Sequence, residues 1–147
     1  MERPAAEKPS LQIERRIAAR REKVFEAWTK ADQISQWFNP SIEYTTIVHA
    51  MDVRPGGVYR IEMRNPKGEN HIVRGVYREV LPPQKLAFTW QWEGKNMEDT
   101  LVTLEFHAVQ DGTHLILTHE FLRDPEIAKE HNKGWEACLD RLSAAVE

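Results

Sequence analysis

The sequence between residues 46 and 121 contains six short strand-like segments bounded by turn residues, and this feature restricts the fold more than any other. In one of them Tyr59, Ile61 and Met63 alternate with polar residues. Alternation with a period of two is typical of β-strands that bury one face. Each segment ends in residues that favour tight turns, and short turns between consecutive strands favour antiparallel pairing. The region therefore predicts an antiparallel meander of six strands. The turn segments are Arg54-Pro55-Gly56-Gly57, Asn65-Pro66-Lys67-Gly68, Pro82-Pro83, Gly94, Asp111-Gly112 and Asp124-Pro125.

One more strand and two short helices are predicted before the meander. Leu11, Ile13 and Ile17 alternate with polar residues, which predicts the first strand. Apolar residues then recur at intervals of three and four, which predicts two short helices, the second of them ended by Pro40. The first helix follows Ala18-Ala19-Arg20-Arg21 and has no side chain that could cap it. We expect its first turn to fray, at a cost of about 1 kcal/mol.

A long helix is predicted at the end of the chain. Asp124 can cap free backbone N–H groups, and Pro125 suits the first helical position because it has no N–H to leave unpaired. The order of strand, two helices, six strands and helix excludes a doubly wound α/β fold and predicts the α+β class. The predicted helix presents one mostly apolar face, formed by Ile127, His131, Trp135, Cys138, Leu142 and Ala145.

The length of 147 residues fits a single domain with a full hydrophobic core, for which we predict residues 11–147, preceded by a flexible arm at residues 1–10. The only cysteine, Cys138, cannot form an intramolecular disulfide, so a cytoplasmic location is expected. No apolar run approaches the roughly 20 residues of a membrane span, and no export signal is recognisable. The net charge of −3 argues against nucleic-acid binding, which usually needs a basic excess.

Several short motifs, in order along residues 11–146, resemble one known family. These motifs resemble the homologues of the activator of the ninety-kilodalton heat-shock-protein ATPase. That family belongs to the START-like, or SRPBCC, superfamily, which includes polyketide cyclases and the birch-pollen allergen. The motifs are Val24-Phe25-Glu26-Ala27-Trp28-Thr29, Trp37-Phe38-Asn39-Pro40, Asp52-Val53-Arg54-Pro55-Gly56-Gly57, Gly75-Val76-Tyr77-Arg78-Glu79-Val80, Pro82-Pro83-Gln84-Lys85-Leu86 with Phe88-Thr89-Trp90, and Gly134-Trp135 within the last helix.

The resemblance implies a helix-grip fold, in which a seven-stranded antiparallel sheet curves around the C-terminal helix and leaves a cavity between them. It does not imply one activity, because START-like domains include lipid carriers, hormone receptors and cyclases. Three hypotheses follow: a domain that binds a small hydrophobic or aromatic molecule, a cyclase- or hydrolase-like enzyme that uses a cavity histidine, and a chaperone ATPase co-factor. Exposed strand edges would also allow a homodimer.

Aromatic residues are the most suggestive candidates for a ligand site. Seven of them lie at strand or helix positions with apolar neighbours, where they either surround a ligand in a cavity of about 300–1,000 Å³ or form ordinary core. Any single one of them is more often core than ligand contact. The seven are Tyr59, Tyr77, Phe88, Trp90, Trp92, Phe121 and Trp135.

Two of the six histidines are candidates for polar contacts in the same cavity. Strand parity places His119 with Leu115, Leu117 and Phe121, and helical phase places His131 with Trp135. Either histidine could act as an acid or base or bind a ligand carbonyl, although a hydrogen-bonded core histidine is the commoner case. The histidine spacing does not fit a metal site, and no metal or cofactor is predicted. The predicted ligand-binding set is Tyr59, Tyr77, Phe88, Trp90, His119, Phe121, His131 and Trp135, with no catalytic residue assigned.

Overall fold

The computed structural model describes residues 8–95 and 99–147. The predicted N-terminal arm falls largely on residues 1–7, which lie outside the described residues. The order of elements is the predicted one and belongs to the α+β class. The elements are β1 Leu11–Ile17, α1 Arg21–Thr29, α2 Ala31–Trp37, β2 Thr45–Met51, β3 Val58–Arg64, β4 Asn70–Leu81, β5 Lys85–Trp92, β6 Thr100–Val109, β7 Gly112–Glu120 and α3 Pro125–Val146.

The strands form one curved antiparallel sheet with the order β1-β7-β6-β5-β4-β3-β2. Strands β2 to β7 are the predicted meander, and β1 joins its end by pairing with β7 from Leu11 opposite His119 to Ile17 opposite Thr113. Register shifts interrupt the pairing of β2 with β3 and of β4 with β5. Such bulges bend and twist a strand, so they contribute to the curvature that allows the sheet to face α3.

Helix α3 begins where the sequence predicts. The Asp124 carboxylate accepts a hydrogen bond from the Ile127 N–H at 2.9 Å, and Pro125 occupies the first helical turn. The buried side chains of α3 are Trp135 and residues C-terminal to it, including Leu139 and Leu142. The C-terminal half of α3 therefore packs into the core, while its N-terminal half borders a cavity.

Helices α1 and α2 cover the rest of the core beside α3. Helix α1 has no side-chain cap at Arg20, as predicted. Helix α2 ends at Trp37 rather than at Pro40, because Phe38 leaves helical geometry and turns its ring into the core. The Trp37 indole N–H donates to the Ala27 carbonyl at 3.0 Å, which holds the two helices together.

All five tryptophans of the chain belong to one continuous series of ring contacts across this core. Trp37 contacts Trp28 with ring centroids 4.6 Å apart, and Trp28 contacts Trp135 at 6.0 Å. Trp135 lies 4.8 Å from Trp90, which lies 5.3 Å from Trp92. The series connects α2, α1, α3 and β5, so the aromatic residues join the helical layer to the sheet. None of the described helices is both long and apolar enough to cross a membrane.

Candidate functional site

A cavity of about 490 Å³ lies between the N-terminal half of α3, strands β3 to β5 and the segment that follows α2. Most of its lining is aromatic or aliphatic. Two of its charged residues lie where a bordering element ends or begins: Lys95 follows β5, and Arg123 precedes α3. The lining residues from the α2–β2 segment and the sheet are Phe38, Pro40, Tyr44, Met63, His71, Trp90, Trp92 and Lys95; those from α3 and the residues before it are Arg123, Ile127, Glu130, His131, Gly134, Trp135 and Cys138.

Three aromatic rings pack together at the inner wall. Trp90 and Trp135 lie with centroids 4.8 Å apart, and Phe38 is 6.0 Å from each of them. All three residues are buried. They come from β5, α3 and the end of α2, so the wall forms only when the sheet and both helices are in place.

Two tryptophan–histidine hydrogen bonds join the sheet to α3 beside this wall. The Trp92 indole N–H on β5 donates to Nε2 of His131 on α3 at 3.0 Å. In the opposite direction, the Trp135 indole N–H on α3 donates to Nδ1 of His119 on β7 at 3.1 Å. An indole N–H is only a donor, so each accepting histidine nitrogen carries no proton.

The second ring nitrogen of His119 is also used. Nε2 of His119 lies 2.7 Å from the Thr100 hydroxyl, which itself donates to the Trp90 carbonyl at 2.8 Å. Nε2 therefore bears the proton and donates to Thr100. Burial, together with the smaller effect of the nearby His131, lowers the pKa of His119 to about 3. His119 is a neutral, fully buried group that supports Trp135 and does not itself line the cavity.

His131 lines the cavity, and it is also held in one tautomer. Its Nδ1 donates to the Ile127 carbonyl at 2.8 Å, because Nε2 accepts from Trp92. Partial burial lowers the pKa of His131 below its usual value, against the opposing effects of the Ile127 carbonyl and the Glu130 charge. Both nitrogens are occupied by protein groups, so His131 orients the Trp92 ring and has no free nitrogen for proton transfer.

The structure brings together only part of the predicted ligand-binding set. Trp90, His131 and Trp135 line the cavity, and His119 lies directly behind Trp135. The centroids of the two histidine rings are 5.1 Å apart, so the side chains are neighbours, but of the two only His131 lines the cavity.

Three of the four remaining residues of the predicted ligand-binding set do not line the cavity. Tyr59, Tyr77 and Phe88 pack against one another elsewhere in the sheet, with Phe88 5.4 Å from Tyr59 and 6.1 Å from Tyr77. The cleft beside them has a volume of only about 10 Å³, too small for a ligand. The Tyr59 hydroxyl donates to the Thr89 carbonyl, and burial raises the pKa of both tyrosines. These three residues are packed core.

Phe121 lies outside the core, which corrects the prediction that it shares a face with His119. Strand β7 ends at Glu120, and Phe121 adopts a left-handed backbone conformation with φ of 67°. Alternation along a strand no longer holds after this turn, so the Phe121 side chain is 51% exposed. Leu122 takes the inward position instead and is fully buried.

Several lining residues were not predicted as site residues. Met63 follows from the alternation of β3, and Ile127 and Cys138 follow from the helical phase of α3, so the sequence contained a signal for them. Phe38 and Tyr44 lie on an irregular segment, where periodicity carries no information. Burial raises the pKa of the Cys138 thiol to about 12, which disfavours the reactive thiolate form. The described residues contain no group of three or more metal-ligating side chains.

Residues 18–147 match the family model described as Activator of Hsp90 ATPase homolog 1-like protein, or AHSA1. The chain belongs to this family. The match covers every element after β1, so the AHSA1 assignment includes all residues that line the cavity. It confirms the resemblance drawn from the short sequence motifs.

Solved structures of AHSA1-like proteins share the fold closely. An AHSA1 protein from Silicibacter pomeroyi is 28% identical with a TM-score of 0.84, and the alignment covers 92% of this chain and 96% of that one. A protein from Chromobacterium violaceum superposes with a TM-score of 0.88 at 24% identity, covering 94% and 96% of the two chains. An AHSA1-like protein from Aeromonas hydrophila superposes at 0.79 with 23% identity, covering 94% and 93%. No curated protein sequence matches the chain.

Proposed function

We propose that this domain binds a small, largely apolar ligand, aromatic in at least part, in the cavity between the sheet and α3. The observation that carries the proposal is the cavity itself, whose volume of about 490 Å³ lies within the range of small-molecule sites. The neighbouring cleft has a volume of only about 10 Å³, so the core around Tyr59, Tyr77 and Phe88 is tightly packed. An apolar ligand would remove the inner walls from water, which is the favourable term in such binding.

The cavity walls are preorganised for an aromatic ring. The Trp92 and Trp135 indoles are each held by a hydrogen bond to a histidine, and the Trp90 ring packs against Trp135. Rings held in this way lose little further freedom when a ligand binds, and this reduces the entropic cost of binding. Offset or edge contacts with these rings favour a flat, aromatic ligand over a branched aliphatic one.

Gly134 adds a second line of support. It lies within α3, where glycine is about 1 kcal/mol less favourable than alanine. Apart from its two chain neighbours and the adjacent backbone of α3, a Cβ atom built at this position has no described atom within 4 Å. The residue lines the cavity, so the missing side chain leaves open volume that a ligand can use.

Substitutions at Gly134 test the proposal, with 2-naphthalenemethanol as a neutral aromatic probe followed by calorimetry and by NMR. Gly134→Phe places a ring in the open space, and we expect it to weaken probe binding about tenfold or more, the effect of losing roughly 1.4 kcal/mol. Gly134→Ala is the matched control; it should raise the free energy of unfolding by about 0.5–1 kcal/mol and leave probe affinity within about twofold.

Two results would contradict the proposal. One is that neither this probe nor a wider panel of apolar aromatic molecules shifts the NMR signals of Trp90 or Trp135 in the parent protein. The other is that Gly134→Phe folds normally and binds the probe as well as the parent does. His119 and His131, the two histidines on which the enzyme hypothesis was based, give it less support, because all four of their ring nitrogens take part in hydrogen bonds within the described protein.

A further inference from the structure

We propose that the ligand of this cavity is an organic acid, whose apolar body lies between the aromatic walls and whose carboxylate binds Lys95 and Arg123. This inference rests on the proposed binding function and names the chemical class of the ligand. It follows from the charged side chains that line the cavity, of which more are positive than negative.

Three formally charged side chains line the cavity, and two of them are cationic. Lys95 follows β5, Arg123 precedes α3, and Glu130 lies on α3 one turn after Ile127. The other lining residues are not among the Asp, Glu, Lys and Arg residues that make up the formal net charge of the chain. The charge of Lys95 reaches the cavity wall, because it lowers the pKa of His131. A ligand in the cavity therefore meets a net positive charge.

The two cations are available to a ligand. Within the described part of the chain, Lys95 forms no ion pair at 4 Å or less. Among the described residues, the carboxylate that Arg123 approaches is that of its neighbour Asp124, through Nε at 3.6 Å, and its side chain is 62% exposed. The other carboxylate oxygen of Asp124 caps α3. Within the same described ranges the terminal nitrogens of Arg123 have no partner, so they can bind a carboxylate in the two-pronged arrangement that guanidinium favours.

An acid fits this arrangement better than an amine does. An ammonium group in the cavity would meet one attractive and two repulsive formal charges in the lining, whereas a carboxylate would meet two attractive charges and one repulsive charge. An alcohol would gain from neither. A ligand with an apolar ring and one carboxylate therefore satisfies both the inner wall and the charged border.

Three probes with the same naphthalene body test the inference: 2-naphthoic acid, 2-naphthalenemethanol and 2-naphthylmethylamine, titrated by calorimetry near pH 7.5, where the acid is ionised. We expect the acid to bind about fivefold tighter than the alcohol or more, the effect of one favourable ion pair. The acid's advantage should shrink as salt is added, while alcohol binding stays nearly constant.

Single substitutions distinguish the effect of the charges in the cavity lining on acid binding from the effect of the net charge of the protein. Lys95→Met and Arg123→Met should each reduce the ratio of acid affinity to alcohol affinity by at least half, and Glu130→Gln should increase that ratio. Lys23→Met is the matched control, because it removes one exposed positive charge from α1 without altering the cavity lining.

The outcomes distinguish this inference from the function on which it rests. If the alcohol binds and the acid binds no tighter, the acid inference is wrong and the binding function stands. Tightest binding of the amine would also overturn it, since Glu130 would then dominate the border. If none of the three probes binds, the proposed binding function itself fails.

Discussion

Trp135 combines two roles that sequence patterns treat as alternatives. Its ring is buried among Trp28, Phe38 and Trp90, as a core residue is, and one part of it forms the cavity wall. Its indole N–H also satisfies the buried Nδ1 of His119. Periodicity correctly placed Trp135 on the inner face of α3. It could not show that part of this face borders a cavity and does not pack against other side chains.

Substitution of Trp135 separates packing from hydrogen bonding. Trp135→Ala should lower the free energy of unfolding by about 3–5 kcal/mol, because a large buried ring is lost. Trp135→Phe keeps most of the ring and removes the donor to His119, so a loss of about 1–3 kcal/mol is expected. Urea unfolding of both variants measures the two values. Equal losses would show that the hydrogen bond, rather than the ring volume, dominates.

Secondary structure was predictable at the scale of the element because each pattern has a local cause. The β-strands follow from alternation, and the start of α3 follows from Asp124 and Pro125, whose roles depend only on neighbouring backbone groups. The end of α2 was not predictable, since Phe38 leaves the helix to enter a core formed by distant residues. The prediction for Phe121 was wrong for a related reason. Phe121 has a left-handed backbone conformation directly after β7, so its side chain no longer follows the alternation of the strand.

The two helix starts predict opposite effects of capping substitutions. Asp124→Ala removes the acceptor for the Ile127 N–H and should lower the free energy of unfolding by about 1 kcal/mol. Arg20→Ser supplies a side-chain cap to α1, because the N-cap position is already in the extended conformation that a cap requires. It should raise the free energy of unfolding by up to about 1 kcal/mol. Thermal unfolding measures both. A destabilising Arg20→Ser would mean that the arginine contributes more than the missing cap.

The whole molecule should lose stability as the pH falls below neutrality. His119 has a folded-state pKa of about 3, whereas an unfolded histidine titrates near 6.5, so below that pH the unfolded state binds the additional proton. The loss begins near pH 6.5, amounts to about 2 kcal/mol at pH 5 and increases until about pH 3. His131, whose pKa is also lowered, acts in the same direction. Glu62, whose carboxylate pKa is lowered mainly by His49, adds to the loss in more acidic solution.

Urea unfolding between pH 7.5 and pH 4.5 tests this dependence. His119→Gln should be less stable than the parent at pH 7.5 and should show a smaller decrease on acidification, because the titrating group is gone. His107→Gln, at an exposed position, is the control and should keep the parent's slope. An unchanged slope in His119→Gln would assign the acid sensitivity to other groups.

The continuous series of tryptophan rings should couple the fluorescence of all five indoles. Trp37, at the end of α2, is connected through Trp28, Trp135 and Trp90 to Trp92 beside the cavity. Excitation absorbed by any of these indoles can migrate between rings at such short separations. A ligand that accepts excitation energy from Trp92 should therefore quench the fluorescence of all five tryptophans. The binding of such a ligand in the cavity would be measurable from this quenching without an added label.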